Sequence, residues 1–202
     1  ALMALCARFD ALLMRDDAHG FGICGPQGRG SLAAAGLTGA NASPRVLYMG
    51  TLSKSAGVAG GFVAGSNTLI EWLLQRTRSY TFATAAPGML ARALQQSLSA
   101  MEEGDHLRSQ LQARIAQLRA GLAPVLAITG WQLLPSNTPI QALVIGDNSK
   151  ALQLMEALRE RSIWVPAIRP PTVAAGTARL RIALSAAHTP QDIVQLENAL
   201  QE

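Results

Sequence analysis

Three short apolar runs near the start of the chain end in small or polar residues, and this pattern constrains the fold most. Ala11–Met14 runs straight into Asp16-Asp17, Arg45–Met49 runs into the loop Gly50–Gly57, and Gly61–Ala64 follows. Runs this short, bounded by glycine and polar residues, read as strands rather than helices. The first has the texture of a buried parallel strand. Open α/β sheets bind ligands beyond the carboxyl ends of such strands. Asp16, Asp17, His19 and the turn around Lys54 all fall at those ends. A glycine-rich loop, Gly20 to Ser31, lies between the first two runs.

Helical signals follow. Ser66 or Asn67 caps a helix from Thr68 to about Arg78, and Pro87 opens another through about Met101. Gly104-Asp105 breaks the pattern, with Asp105 as cap of a helix to about Ala120. The texture then changes. Ile140–Ile145, Ile163–Ala167 and Ala178–Leu184 read as strands. Asn148 or Ser149 caps a helix to about Arg161, and Thr189-Pro190 starts the last helix in N-cap/N1 order. Strand–helix–strand–strand–helix describes a small α+β domain over residues 102–202, after an α/β portion over residues 1–101. The first residue is not Met and Ala1–Phe9 reads as the end of a helix. A preceding N-terminal portion is therefore expected.

Composition excludes several classes. Hydrophobic residues make up 49% and charged residues 15%, which suits a packed core and not a disordered chain. The net charge is only +4, the arginines are scattered and aromatics are 4%, so no nucleic-acid footprint is visible. No apolar run reaches membrane-spanning length. Cys6 and Cys24 lack metal-ligand or CxxC spacing and read as reduced thiols of a cytoplasmic protein. No metal site is expected.

Positive charge is carried almost wholly by arginine, since Lys54 and Lys150 are the only lysines among 17 basic residues. Lys54 stands among Ser53, Ser55, Ala56 and Gly57, small neighbours that let a bulky group approach the backbone. Lysine, unlike arginine, can lose its proton and form an imine with an aldehyde. Lys150 lies at a solvated helix start. The aldehyde cofactor pyridoxal 5′-phosphate (PLP) needs such a lysine. It also needs a carboxylate to keep its ring nitrogen protonated, and hydroxyl and N–H donors for its phosphate. Asp17 is the expected ring partner, with Asp16 structural. His19, sharing a face with Asp17 on an extended chain, is expected at the ring oxygen. Thr51 is expected at the phosphate. Arg179 and Arg181 share one side of a strand, and either could bind a carboxylate bidentately. His106 and His188 receive no role. Arg15, on an otherwise apolar strand, has no account in the sequence.

Asp16-Asp17-Ala18-His19-Gly20, Gly25-Pro26-Gln27-Gly28-Arg29-Gly30 and Gly50-Thr51-Leu52-Ser53-Lys54 resemble the α-oxoamine synthases. These are fold-type-I PLP-dependent enzymes that join an amino acid to an acyl thioester with loss of CO2. Ile145-Gly146-Asp147-Asn148-Ser149, Ala167-Ile168-Arg169-Pro170-Pro171-Thr172-Val173 and Gly176-Thr177-Ala178-Arg179-Leu180-Arg181 are similar to the biotin-pathway member of the family. The resemblance covers essentially the whole chain but only the C-terminal half of such an enzyme. The aromatic or His residue that stacks on the ring lies in the other half.

The resemblance implies an α/β fold, part of the fold-type-I large domain with a small C-terminal domain. It implies a cytoplasmic enzyme that condenses L-alanine with a pimeloyl thioester. Lys54 would form the imine, Asp17 would face the pyridine nitrogen, His19 the ring oxygen and Thr51 the phosphate. Thr172 would lie near substrate and Arg181 on the amino-acid carboxylate. It further implies a homodimer with the site at the interface, where Thr84 of Phe82-Ala83-Thr84 reaches the partner's phosphate. Ala83 stands where the family has Ser. The alternatives are a sister synthase of the glycine C-acetyltransferase or 5-aminolevulinate synthase type, an aminotransferase or aldolase of the same fold, or a non-catalytic partner.

Overall fold

A computed structural model describes residues 2–39 and 41–201. The chain divides into two compact units, Ala1–His106 and Leu107–Glu202. In the first, α1 (Leu2–Arg8) leads to β1 (Leu13–Asp16), the short α2 (Ser31–Ala34), β2 (Val46–Thr51) and β3 (Gly61–Ala64). Three helices follow: α3 (Asn67–Arg76), α4 (Arg78–Thr81) and α5 (Gly88–Glu103). Ala1, the first residue of the expected opening helix, lies outside the described residues.

The sheet order is β1-β2-β3. β1 and β2 are parallel, from Leu13 opposite Val46 to Asp16 opposite Met49. β3 returns antiparallel, with Thr51 opposite Gly61. The sheet is therefore mixed. Two expectations change here. β2 extends through Gly50 to Thr51, so Thr51 sits on the strand rather than in the loop after it. β1 starts later than expected and is not buried: Met14 is 65% exposed. It is an edge strand among the described residues, with β2 on one side only.

The second unit contains most of α6 (Asp105–Gly121), then α7 (Ala123–Thr129), β4 (Gln132–Leu133) and β5 (Ile140–Gly146). α8 (Asn148–Glu160), β6 (Ala167–Ile168), β7 (Ala178–Ala183) and α9 (Pro190–Gln201) complete it. The antiparallel sheet runs β4-β5-β7-β6. Alternation along β7 buries Ala178, Leu180 and Ile182 and turns Arg179 and Arg181 to the other face. Leu143, Leu158, Leu118 and Ile193 join that core, each almost wholly buried. Gln141 is buried too. Its Oε1 accepts a hydrogen bond from Arg119 (2.6 Å), and its Nε2 donates to the carbonyls of Thr138 and Ser136.

Helix starts follow local chemistry. Thr189 and Asp192 cap α9 reciprocally: the Asp192 N–H donates to Thr189 Oγ1, and the Thr189 N–H donates to Asp192 Oδ2. α8 is capped by Asp147, not Asn148 or Ser149, because the Asp147 carboxylate accepts the Lys150 N–H at 2.8 Å. The expected strand Ile163–Ala167 shrinks to Ala167–Ile168. Pro166 has no N–H for the ladder, and only its carbonyl pairs, with the Arg181 N–H. α7 is an additional helix that the sequence expectations do not include. It has a proline in its first turn and a left-handed Gly130 at its end.

Glu197 on α9 has a buried Oε1 with no hydrogen-bond partner among the described residues. Burial raises its pKa, so the fold favours the protonated form. That stabilising contribution is present below the ordinary carboxylate range and is lost as pH rises through the folded-state value. Glu197→Gln should therefore raise stability at neutral pH, by an amount small enough to reflect the group's partial exposure. The gain should vanish below about pH 4. Urea denaturation at the two pH values measures the difference.

Candidate functional site

The end of β1 and the chain turn after it set the site. The Asp17 N–H donates to Met49 O at 2.8 Å and continues the β1–β2 ladder by one residue. The chain then turns, with the N–H groups of Gly20 and Phe21 both donating to Asp17 O. Asp16 Oδ1 accepts the Ala18 N–H at 2.9 Å, an Asx turn. This turn overturns the expectation that Asp17 and His19 share a face, which assumed extended backbone. Asp17 is buried, at 1% exposure, whereas Asp16 and His19 are exposed.

Protein donors occupy both Asp17 oxygens. Oδ2 accepts the Ser31 N–H and the Tyr48 hydroxyl, each at 2.7 Å. Oδ1 faces Arg15 Nη2 at 3.3 Å. Arg15 Nε also donates to Ser31 Oγ at 2.8 Å. Gly30 is obligatory beside this cluster. Its φ is +91°, and a Cβ there would lie 2.1 Å from Tyr48 Oη and 2.3 Å from Asp17 Oδ2. Burial, and then the bond to Asp17, push the Tyr48 pKa well above the ordinary tyrosine value, so Tyr48 stays a donor. Burial, followed by the Asp17 charge, also raises the Cys24 thiol. Neither the Tyr48 contact nor the role of Ser31 was found in the sequence. The Gly30-Ser31 pair was the only signal.

Lys54 lies beyond β2 and is exposed. Its Nζ is 3.1 Å from His19 Nε2, so the structure brings these two predicted residues together. Besides its own backbone hydrogen bonds, the Lys54 turn is held by two contacts from outside it. Ser97 Oγ on α5 donates to Ala56 O at 2.8 Å. Gly22, with φ +80°, packs so close that a Cβ would lie 2.5 Å from Ser55 Cβ. Thr51, three residues before Lys54, has a buried Oγ1 with no partner among the described residues. A buried hydroxyl without a partner is costly and suits a ligand acceptor.

A basic side chain beside an imidazole, an exposed carboxylate and a donor hydroxyl in want of an acceptor are the groups PLP requires. The residues present fit it. Thr84 lies in the exposed stretch after α4. Thr172 and Arg181 belong to the second unit: Thr172 is exposed, and Arg181 lies on the outward face of β7 beside Arg179. Arg179 Nε donates to Thr177 O at 3.0 Å. A cavity of about 520 Å³ in the first unit is walled by Tyr48, Leu32, Leu37, Val46 and Ala64, and none of Asp16, His19, Thr51 or Lys54 lines it. The described residues hold no cluster of metal-binding side chains and no helix long and apolar enough to cross a membrane.

The chain resembles known proteins along its whole length. The chain is 71% identical over 201 residues to an 8-amino-7-oxononanoate synthase of Delftia acidovorans, covering 100% of the chain and 50% of that protein. It is 70% identical over 199 residues to the synthase of Paracidovorax citrulli, covering 98% and 48%. The chain thus spans about half the length of the curated relatives it matches. Among solved structures, SPT with PLP internal aldimine superimposes with a TM-score of 0.86 at 29% identity, covering 99% of this chain and 49% of the other. An 8-amino-7-oxononanoate synthase of Francisella tularensis superimposes with a TM-score of 0.82 at 26% identity, covering 99% and 57%. The fold is therefore the α/β fold of these enzymes. The profile of the family "Aminotransferase class I and II" matches residues 1–200, and the chain belongs to that family.

Proposed function

We propose that this chain supplies the lysine-bearing part of a PLP-dependent synthase. It would condense L-alanine with a pimeloyl thioester to give 8-amino-7-oxononanoate, CO2 and free thiol, a step of biotin biosynthesis. The observation that carries the reading is Lys54 Nζ at 3.1 Å from His19 Nε2, beside a strand end with an exposed carboxylate. Identity of 71% to a curated synthase supports this reaction over its sister condensations.

PLP, when bound, supplies an aldehyde for an imine and a protonated ring that accepts an electron pair from the amino acid's Cα. The chain's residues do the rest. Lys54 Nζ anchors the cofactor and is the group that takes and returns a proton at Cα. His19 holds the ring oxygen and fixes the lysine's approach. Thr51 Oγ1 donates to the phosphate. For the ring nitrogen the geometry favours Asp16 over Asp17, against the sequence expectation. Asp17 is buried with both oxygens engaged by protein donors, whereas Asp16 is exposed with one oxygen accepting the Ala18 N–H. A carboxylate facing the pyridinium keeps it charged.

In the second unit, Arg181 would bind the alanine carboxylate and orient Cα–H across the ring, a positioning contribution. Thr172 would lie beside the substrate. The active form would be a homodimer in which Thr84 reaches the partner's phosphate, with Ala83 offering no second hydroxyl. The first unit would be part of the cofactor-binding domain and the second the small C-terminal domain. A cytoplasmic location suits the substrates.

Two measurements test this reading on a chimera that joins the chain to the complementary half of its Delftia acidovorans relative. With pimeloyl-CoA, L-alanine should release thiol and yield the mass of 8-amino-7-oxononanoate. Release with glycine or serine alone would assign a sister condensation instead. Borohydride treatment of the PLP-loaded chimera should fix the label on the peptide containing Lys54. Lys54→Ala should remove that peptide's label and lower turnover by about three orders of magnitude or more. A label that stays after the substitution, on Lys150 or elsewhere, would overturn the assignment.

A further inference from the structure

Arg15 interrupts an apolar strand, and neither the core nor the proposed reaction uses it. Its guanidinium ties together two groups that already meet. Nε donates to Ser31 Oγ, and Nη2 faces Asp17 Oδ1. The Ser31 N–H and the Tyr48 hydroxyl close on the other Asp17 oxygen. One buried carboxylate thus gathers the end of β1, the middle of β2 and the start of α2. It lies next to Asp16 in the chain, and its carbonyl accepts the N–H groups of the turn that carries His19.

The charges are balanced across this cluster. An uncompensated carboxylate at the buried Asp17 would be costly. Arg15 offsets that charge, and Tyr48 and Ser31 disperse it through hydrogen bonds. The other titratable groups near the cluster are Cys24, which faces Asp17 and Tyr48, and the Asp16, His19 and Lys54 set itself. Tyr48 remains protonated well above neutral pH because burial and Asp17 both oppose its ionisation.

We propose that Arg15, Asp17 and Tyr48 form a positioning cluster that fixes Asp16 and His19 against the cofactor, so that Arg15 and Tyr48 control protonation of the bound cofactor without touching it. The proposal rests on the PLP reading above. None of the three is a catalytic residue. Their effect passes through the backbone turn and through the Asp16 carboxylate. The presence of Arg15 on an apolar strand follows from this role.

The test is a double-mutant cycle on the PLP-loaded chimera. Tyr48→Phe and Arg15→Met are made alone and on Asp16→Asn. Two readouts are taken: the pH midpoint of the visible absorbance of lysine-bound cofactor, and the Tm. Each single substitution should move the midpoint by about half a unit or more. On Asp16→Asn neither should move it further. Arg15 is half-exposed, so Arg15→Met keeps the test available should Tyr48→Phe not fold. Lower Tm with an unmoved midpoint would make the cluster purely structural and overturn the proposal. An equal shift with and without Asp16 would overturn it as well, since the effect would not pass through that carboxylate. Absence of the visible band in the unsubstituted chimera would overturn the PLP reading itself, and the cluster's role with it.

Discussion

The first unit depends on the burial of one charge. Asp17 is 1% exposed, and a buried carboxylate is tolerated only when donors surround it. Hydrogen bonds to a charged group are worth roughly 1.5–3 kcal/mol each, and losing one leaves the full desolvation cost uncompensated. The three donors come from different places: Arg15 on β1, Tyr48 on β2, and the backbone of Ser31 at the start of α2. Satisfying Asp17 therefore fixes where these elements meet. That meeting point delivers Asp16, the His19 turn and, through β2, Thr51 and Lys54.

The two units are built differently. The second is an apolar core in which Leu118, Leu122, Leu143, Ala151, Leu158 and Leu180 have no exposed surface. Among its described apolar side chains the first buries only Ala18, Val46, Leu47, Ala56 and Val58, and leaves Leu12, Met14, Trp72, Tyr80, Phe82 and Met89 largely exposed. Its order rests more on polar contacts and close glycine packing than on apolar burial. Polar networks of this kind hold side chains in fixed directions, which a reactive site requires.

Much of the arrangement was legible in the sequence. Short apolar runs ending in glycine and polar residues gave the strands and the loops beyond them. The small neighbours of Lys54 marked the turn, and Lys54 and His19 do meet. The burial of β1 was misjudged because an apolar run does not reveal whether a neighbouring strand covers it. The choice between Asp16 and Asp17 was not legible either. Adjacent identical side chains point to opposite sides of a strand, and the spacing to His19 decides between them only if the backbone stays extended. It turns immediately after Asp17, and the partners that claim Asp17 come from Ser31 and Tyr48, distant in sequence. For the same reason Arg15 had no meaning until its partner was in place. The sequence pattern places Thr51 in a loop because the hydrogen bonding that carries β2 past Gly50 depends on β3.

The division of labour between the two aspartates is the point most open to direct measurement. The ¹⁵N chemical shift of labelled PLP bound to the chimera reports whether its ring nitrogen is protonated. An Asp16 that faces the ring and an Asp17 caged by protein donors predict that Asp16→Asn moves this shift toward the unprotonated position far more than Asp17→Asn does. The reverse, a shift lost in Asp17→Asn and kept in Asp16→Asn, would place the ring contact on Asp17 and contradict the arrangement described.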